Sequence, residues 1–187
     1  MSVRDGLLAI LTLGPAYGLQ LHAELASRAP HRKPVNVGQI YGTLERLSKA
    51  EQIEDAGATD DGLPLYALTP AGRRNAEKWM REPVTDGLPE WTEMLDQVLV
   101  TSSLDAESAT KLAGAFRRWW DGDLAATRAS LRDTALRHDQ RLALVAREAQ
   151  AVAALAWVGA ATAELADNDS FRGYSGIRPR RGRRPNA

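Results

Sequence analysis

The chain alternates between apolar runs at helical spacing and short Gly/Pro-rich breaks. Leu7, Leu8, Ala9, Ile10 and Leu11 form the first run, and Gly14-Pro15-Ala16-Tyr17-Gly18 closes it. A periodic stretch follows over residues 19–25, so this part predicts a helix, a turn and a second helix. Over residues 35–47, Val37, Ile40, Leu44 and Leu47 recur at helical spacing and predict a third helix with those four side chains facing a core. Asn36 is placed to cap it, and Gln39, three residues on, can complete a capping box. The period then shortens. Residues 53–56 and 65–68 predict two strands around the turn Asp60-Asp61-Gly62-Leu63-Pro64, a hairpin pattern. Thr69 caps a further helix with Pro70 at its first position, and Glu82-Pro83 ends it, because the residue before a proline is pushed out of helical geometry.

Helix, helix, helix, hairpin, helix is the order of a winged helix-turn-helix domain. The pattern downstream is helical throughout. Asp86-Gly87-Leu88-Pro89 reads as a linker. Met94, Leu95, Val98 and Leu99 mark one amphipathic helix. Asp105 caps a second, which carries Leu112, Phe116, Trp119, Trp120 and Leu124, with the period continuing to Leu131 and Leu136 past a possible break at Gly122. Asp139 caps a third, with Leu142, Val145, Val152 and Leu165. Residues 151–163, the most apolar stretch, are short of a membrane span and read as a buried helix. From Phe171 the chain is rich in Gly, Pro and Arg, and disorder is expected. The fold class is therefore mostly α with a small β-hairpin wing. The expected division is a winged helix-turn-helix domain over 1–83, an antiparallel helical dimerisation region over 84–170, and a basic, disordered tail over 171–187.

The third helix presents Gln39, Thr43 and Arg46 opposite its apolar side, with Gly42 between them. Gly42 costs roughly 1 kcal/mol in a helix interior relative to Ala, which makes sense if something must approach closely. Such a face suits the floor of a DNA major groove, where Gln pairs with adenine and Arg with guanine. The bland reading of the same face is a solvated helix surface. Tyr41 sits one residue off the apolar stripe, so its ring packs at the domain edge, its hydroxyl reaches a phosphate, or both. His31-Arg32-Lys33-Pro34, just before this helix, is placed for phosphates, although a charge run is as often merely solvated.

Three motifs carry a resemblance: Gly14-Pro15-x-x-Gly18; Val35-Asn36-x-Gly38-x-Ile40-Tyr41-x-x-Leu44-x-x-Leu47; and Tyr66-x-Leu68-Thr69-x-x-Gly72-Arg73. In this order and spacing they closely resemble the PadR family of bacterial transcriptional regulators, over roughly residues 4–82. The resemblance implies a homodimeric repressor that binds double-stranded DNA at a palindromic operator and is released by a small molecule. The residues expected to contact DNA are Arg32, Lys33, Asn36, Gln39, Tyr41, Thr43, Arg46 and the wing residue Leu63, and the resemblance adds weight to Tyr41, which belongs to its motif. Relatives bind flat aromatic compounds near the dimer interface, which draws attention to Trp119, Trp120 and Trp157. Aromatics at helical spacing serve equally as core or interface. The wing departs from expectation: its tip carries Asp60 and Asp61 where a basic group would approach phosphate.

Charge sharpens this picture. The chain has 187 residues and no net charge. Residues 1–82 hold ten basic and ten acidic side chains, residues 83–170 eight and fourteen, and residues 171–187 six and none. A neutral DNA-binding domain would rely on a few local cations: Arg28, Arg32, Lys33, Arg46 and Arg4. A shallow salt slope follows. The arginine-rich tail reads either as a solubilising terminus or as a groove-binding arm. There are no cysteines, so disulfides and cysteine-based zinc sites are excluded. The three histidines, His22, His31 and His138, share no metal-ligand spacing. No phosphate loop, nucleophile elbow or paired-acid arrangement is present. Neither an enzyme nor a cofactor is expected, no secretory pattern opens the chain, and the expected location is the cytoplasm with no membrane association. The rival reading is a winged-helix interaction module that contacts a partner protein through its acidic helical region and lacks strong DNA affinity.

Overall fold

The computed structural model describes residues 3–31, 35–84, 90–167 and 171–176. The first half is α1 (Val3–Ile10), a single 3-10 turn (Leu11–Leu13), β1 (Ala16–Tyr17), α2 (Gly18–Arg28), α3 (Val37–Lys49), β2 (Ile53–Ala58), β3 (Pro64–Leu68) and α4 (Pro70–Arg81). The second is α5 (Trp91–Ser102), α6 (Ala106–Ser130) and α7 (His138–Asp167). The sheet is antiparallel in the order β1-β3-β2. The expected hairpin gains a third strand, because Ala16 and Tyr17 pair with Tyr66 and Leu65. A two-residue strand next to a Gly-Pro pair leaves no periodic trace in the sequence.

Two of the three motifs are explained by close contacts at their glycines. Thr69 caps α4 by accepting from the Gly72 amide at 3.1 Å. Its own hydroxyl donates to the Glu51 carbonyl (2.7 Å), and its amide to Gln52 O (3.1 Å). This lays the start of α4 directly against the end of α3, so a Cβ on Gly72 would stand 1.9 Å from the Gln52 oxygen. Gly18 likewise sits under a side chain: a Cβ there would meet the Tyr41 ring at 2.7 Å. Glycine is the residue type that allows these approaches.

The winged helix is built on an apolar core with Leu7, Leu8, Ile10, Leu21, Leu25, Ile40, Leu44, Leu47 and Ile53 buried, which Val100 of α5 and Leu104 just after it complete. Val37, expected on the same stripe, is exposed at the first position of α3. The second core lies between α5, α6 and α7, around Met94, Val98, Leu112, Phe116 and Trp120. α6 is continuous through Gly122, where a break had been possible; it ends at Ser130, leaving Leu131 and Leu136 beyond the helix.

Two expectations are corrected. α7 is not a buried helix: only Ala151, Ala154 and Val158 are buried. Leu142, Val145 and Val152 are 56%, 49% and 46% exposed. Among the described residues α7 is also the one helix long and apolar enough to cross a membrane by length and composition. It nevertheless packs along α6 through its small residues, and two ion pairs cross between them, Arg147 with Asp123 and Arg128 with Glu148. Charged pairs of this kind are costly in lipid. Second, residues 171–176 of the supposed tail lie ordered against the winged helix. The remaining tail, residues 177–187, falls outside the described residues.

Candidate nucleic-acid interface

α3 begins as its sequence dictates. Asn36 Oδ1 accepts from the Gly38 amide at 2.7 Å, satisfying one of the open N–H groups at the helix start. Gln39 is exposed rather than folded back onto the cap. Arg46 is exposed too, and its rivals for a partner are engaged elsewhere. Glu45 pairs with Lys49 at 2.7 Å, and that hydrogen bond holds the Glu45 carboxyl below its usual range. Glu24 is paired with Arg28. Arg46 instead donates to Thr43 Oγ1 at 3.0 Å.

Thr43 does not point outward as expected. It is 3% exposed, and its hydroxyl donates back to the Gln39 carbonyl at 2.7 Å. A threonine in mid-helix commonly satisfies its hydroxyl this way. Its oxygen then accepts from Arg46, so Thr43 steers the guanidinium and offers no free group of its own. Val3, Arg4, Gln39, Thr43, Arg46, Leu47 and Ala50 line an open cleft of about 420 Å³. Gly42 has nothing within 4 Å of the position a Cβ would take, so the gap beside Gln39 and Arg46 is real.

Tyr41 is 40% exposed, with its ring over Gly18. The Gly14-Pro15-x-x-Gly18 motif thus seats the ring at the start of α2. Tyr66 on β3, which opens the third motif but was not expected at the DNA surface, joins this patch: burial raises its hydroxyl pKa, with Tyr41 and Asp55 adding to the shift. Only the spatial pairing of strand and helix reveals it.

The wing turn is closed by Thr59, whose amide donates to Leu63 O (2.9 Å) and whose Oγ1 accepts from the Leu63 amide (3.0 Å). Asp61 accepts from the Thr59 hydroxyl at 2.7 Å. Gly62 supplies the positive φ of 77° that a residue with a side chain rarely adopts. Leu63 is half-buried at this tip, while Asp60 and Asp61 are exposed. The acidic wing is therefore a feature of the surface.

Among the basic groups expected near DNA, Arg32 and Lys33 lie outside the described residues. His31 turns inward, its Nε2 3.0 Å from Oδ1 of the fully buried Asp96 on α5. Arg28 is buried and belongs to no DNA-facing surface. The sequence suggested a cation at the end of α2; what it did not show was that Glu24, one turn earlier, makes that cation structural.

The tryptophans separate clearly. Trp120 is fully buried, and its indole N–H donates to Met94 Sδ at 3.3 Å. Trp119 packs edge-on against it, with centroids 4.8 Å apart. These two are core residues rather than an open ligand cage. Trp157 meets Trp91 edge-on at 6.1 Å and lines an apolar pocket of about 360 Å³ between α5 and α7, with Val98, Leu99, Leu165 and Glu164 among its walls. Of the three, Trp157 alone is placed to meet a ligand there.

No curated protein matches the sequence. Among solved structures, Bacillus subtilis PadR in complex with operator DNA is 18% identical, with a TM-score of 0.39 over 88% of this chain and 99% of that one. A PadR-like transcriptional regulator from Bacillus cereus is 18% identical, with a TM-score of 0.38 over 89% and 99%. Bacillus subtilis PadR in complex with p-coumaric acid is 17% identical, with a TM-score of 0.37 over 88% and 98%. These likenesses are distant. The sequence model of the transcriptional regulator PadR-like family matches residues 7–78, the span from the apolar run of α1 to the last turn of α4, and takes in all three motifs. Over that span, the winged helix of this chain is similar to the PadR-like family of transcriptional regulators.

Proposed function

We propose that the chain is a homodimeric, sequence-specific DNA-binding regulator of the repressor type, with α3 in the major groove. The observation that carries this is the free face of α3: Gln39 and Arg46 exposed around the Gly42 gap, with Arg46 held by Thr43 and clear of a carboxylate partner. Arg46 would read guanine and Gln39 adenine. Tyr41, the free amide end of Asn36 and, from their place before α3, Arg32 and Lys33 would hold phosphates. Leu63 would rest on sugar edges, since the carboxylates beside it oppose a close approach to phosphate. The exposed apolar face of α7 supports dimerisation, and a two-fold dimer is the commonest way to cover such a face. A small apolar effector in the α5/α7 pocket, against Trp157, would shift the equilibrium between arrangements of the two recognition helices by its differential affinity for them. A soluble cytoplasmic protein fits this role.

The acidic wing and the neutral winged helix favour a second reading, an interaction module that has lost DNA affinity. Fluorescence anisotropy separates the two. The duplex the protein selects from a random pool should bind in the nanomolar range, and Arg46→Ala should weaken it roughly 10- to 100-fold with loss of preference at one base position. Selection of no duplex, or equal binding by Arg46→Ala, would favour the interaction module.

A further inference from the structure

A heavily bonded buried cation lies away from the proposed DNA surface. Arg28, at the end of α2, is 2% exposed. Its Nε donates to Glu24 Oε2 at 3.0 Å. One terminal nitrogen donates to Ser103 O (3.0 Å) and Ser103 Oγ (2.7 Å), at the corner between α5 and α6. The other donates to the carbonyls of Arg172 (3.0 Å) and Gly173 (2.9 Å). A guanidinium has five N–H donors, and here they are shared among three separated parts of the chain.

Residues 171–176 return the grip. The Arg172 amide donates to Ser103 O at 2.9 Å, and its guanidinium to Ser27 Oγ at 3.2 Å. The Ser175 amide donates to Glu24 Oε1 at 2.6 Å. The Tyr174 hydroxyl lies 2.7 Å from Gly14 O and 3.2 Å from Ile10 O. It has one proton, and the nearer carbonyl takes it. Burial pushes the Tyr174 hydroxyl well above the ordinary tyrosine range, so it stays a donor. Carbonyls, amides and one buried ion pair make these bonds, and the Tyr174 ring packs against the same core that takes in Val100 and Leu104. Such bonds hold a geometry more than they add stability.

We infer that residues 171–176 form a strap, and that Arg28 is the positioning residue through which it fixes the winged helix on the helical region, so that operator affinity depends on a segment that does not touch DNA. The strap follows α7, and its anchor Ser103 adjoins Ser102, a wall of the α5/α7 pocket. Rearrangement at that pocket therefore has a short covalent and hydrogen-bonded route to α2. This rests on the DNA-binding reading for its consequence, but not for the strap itself.

The test compares the full chain with chains ending at Gly176 and at Ser170, and with Tyr174→Phe. The chain ending at Gly176 removes the five tail arginines and keeps the strap. Hydrogen exchange in the last turn of α2 should be the same for the full chain and the chain ending at Gly176, and at least tenfold faster for the chain ending at Ser170. Operator affinity should fall about tenfold between the two shortened chains, at equal helix content and oligomeric state, with Tyr174→Phe in between. Unchanged exchange would overturn the strap, and faster exchange with unchanged affinity would overturn its positioning role. If the full chain selects no duplex, the DNA reading fails separately. A nitroxide on Ser48→Cys, in a chain with no native cysteine, then decides: the distance between labels should broaden on loss of the strap, and an unchanged distribution overturns the proposal.

Discussion

The two halves of the molecule treat apolar surface in opposite ways. In the winged helix, α3 buries Ile40, Leu44 and Leu47 and leaves a polar face outward. In the helical region, the 30-residue α7 buries three residues and leaves Leu142, Val145 and Val152 in the open. The first half buries its apolar side chains, with Val100 and Leu104 of the second half joining its core. The second leaves an apolar face open, which the proposed second copy of the chain would cover with two-fold symmetry. If α3 meets DNA and α7 meets its copy, the solvated face of one and the apolar face of the other match the polarity of what each would bind.

The strongest way to break this contrast is to charge the open face. Val145→Glu combined with Val152→Glu should leave the monomer folded, since both side chains are exposed in the single chain, but abolish the dimer in sedimentation. Operator binding should then fall by about 10²–10⁴-fold, the usual loss when two linked contacts become one. Unchanged mass would show that α7 faces something else.

The next test breaks the closed half. Gly72→Ala forces a Cβ against the Gln52 carbonyl and should cost about 3 kcal/mol, at the upper end for overpacking, measured by urea unfolding. Gly42→Ala, with open space around it, should leave stability unchanged or raise it by up to about 1 kcal/mol while weakening DNA binding if the groove closes on that gap. Thr43→Val should release Arg46 from its 3.0 Å support and cost about 1 kcal/mol in operator affinity, less than Arg46→Ala.

The smallest effect is a pH dependence at the start of α6. Asp105 accepts from the Ser108 hydroxyl (2.6 Å) and amide (3.0 Å), and the hydroxyl bond is the main reason its carboxyl lies below the ordinary 3.8. A group with a depressed folded pKa stabilises above its unfolded pKa and loses that contribution as pH falls through the folded value. The loss should therefore begin below about pH 4 and amount to no more than about 1 kcal/mol, the scale of a helix cap. Asp105→Ala should flatten that part of the acid limb in urea titrations.

The fold of the winged helix was legible because its boundaries use local chemistry. Asn36 and Thr69 cap the helices they were expected to cap, and Gly62 turns the hairpin; in the helical region Asp105 caps α6 as expected, while Asp139 lies inside the first turn of α7 rather than capping it. The candidate site was legible in part: periodicity placed Gln39 and Arg46 outward but misplaced Thr43, whose hydroxyl bonds to its own helix. Burial of Trp120 and partial exposure of Trp157 depend on how three helices meet, which spacing along one helix does not encode. The strap was illegible for a different reason. A six-residue segment held by carbonyls to one arginine has no hydrophobic period, and its composition is that of a free terminus. The Glu24–Arg28 spacing of one helical turn was visible, but not its burial.

The most direct test of DNA reading by a two-fold dimer is selection of duplexes from a random pool by the whole 187-residue chain. An inverted repeat is expected, with half-site centres about 10 base pairs apart, the spacing of two symmetry-related helices in successive major grooves. Recovery of no enriched sequence, or of a single unrepeated half-site, would contradict it.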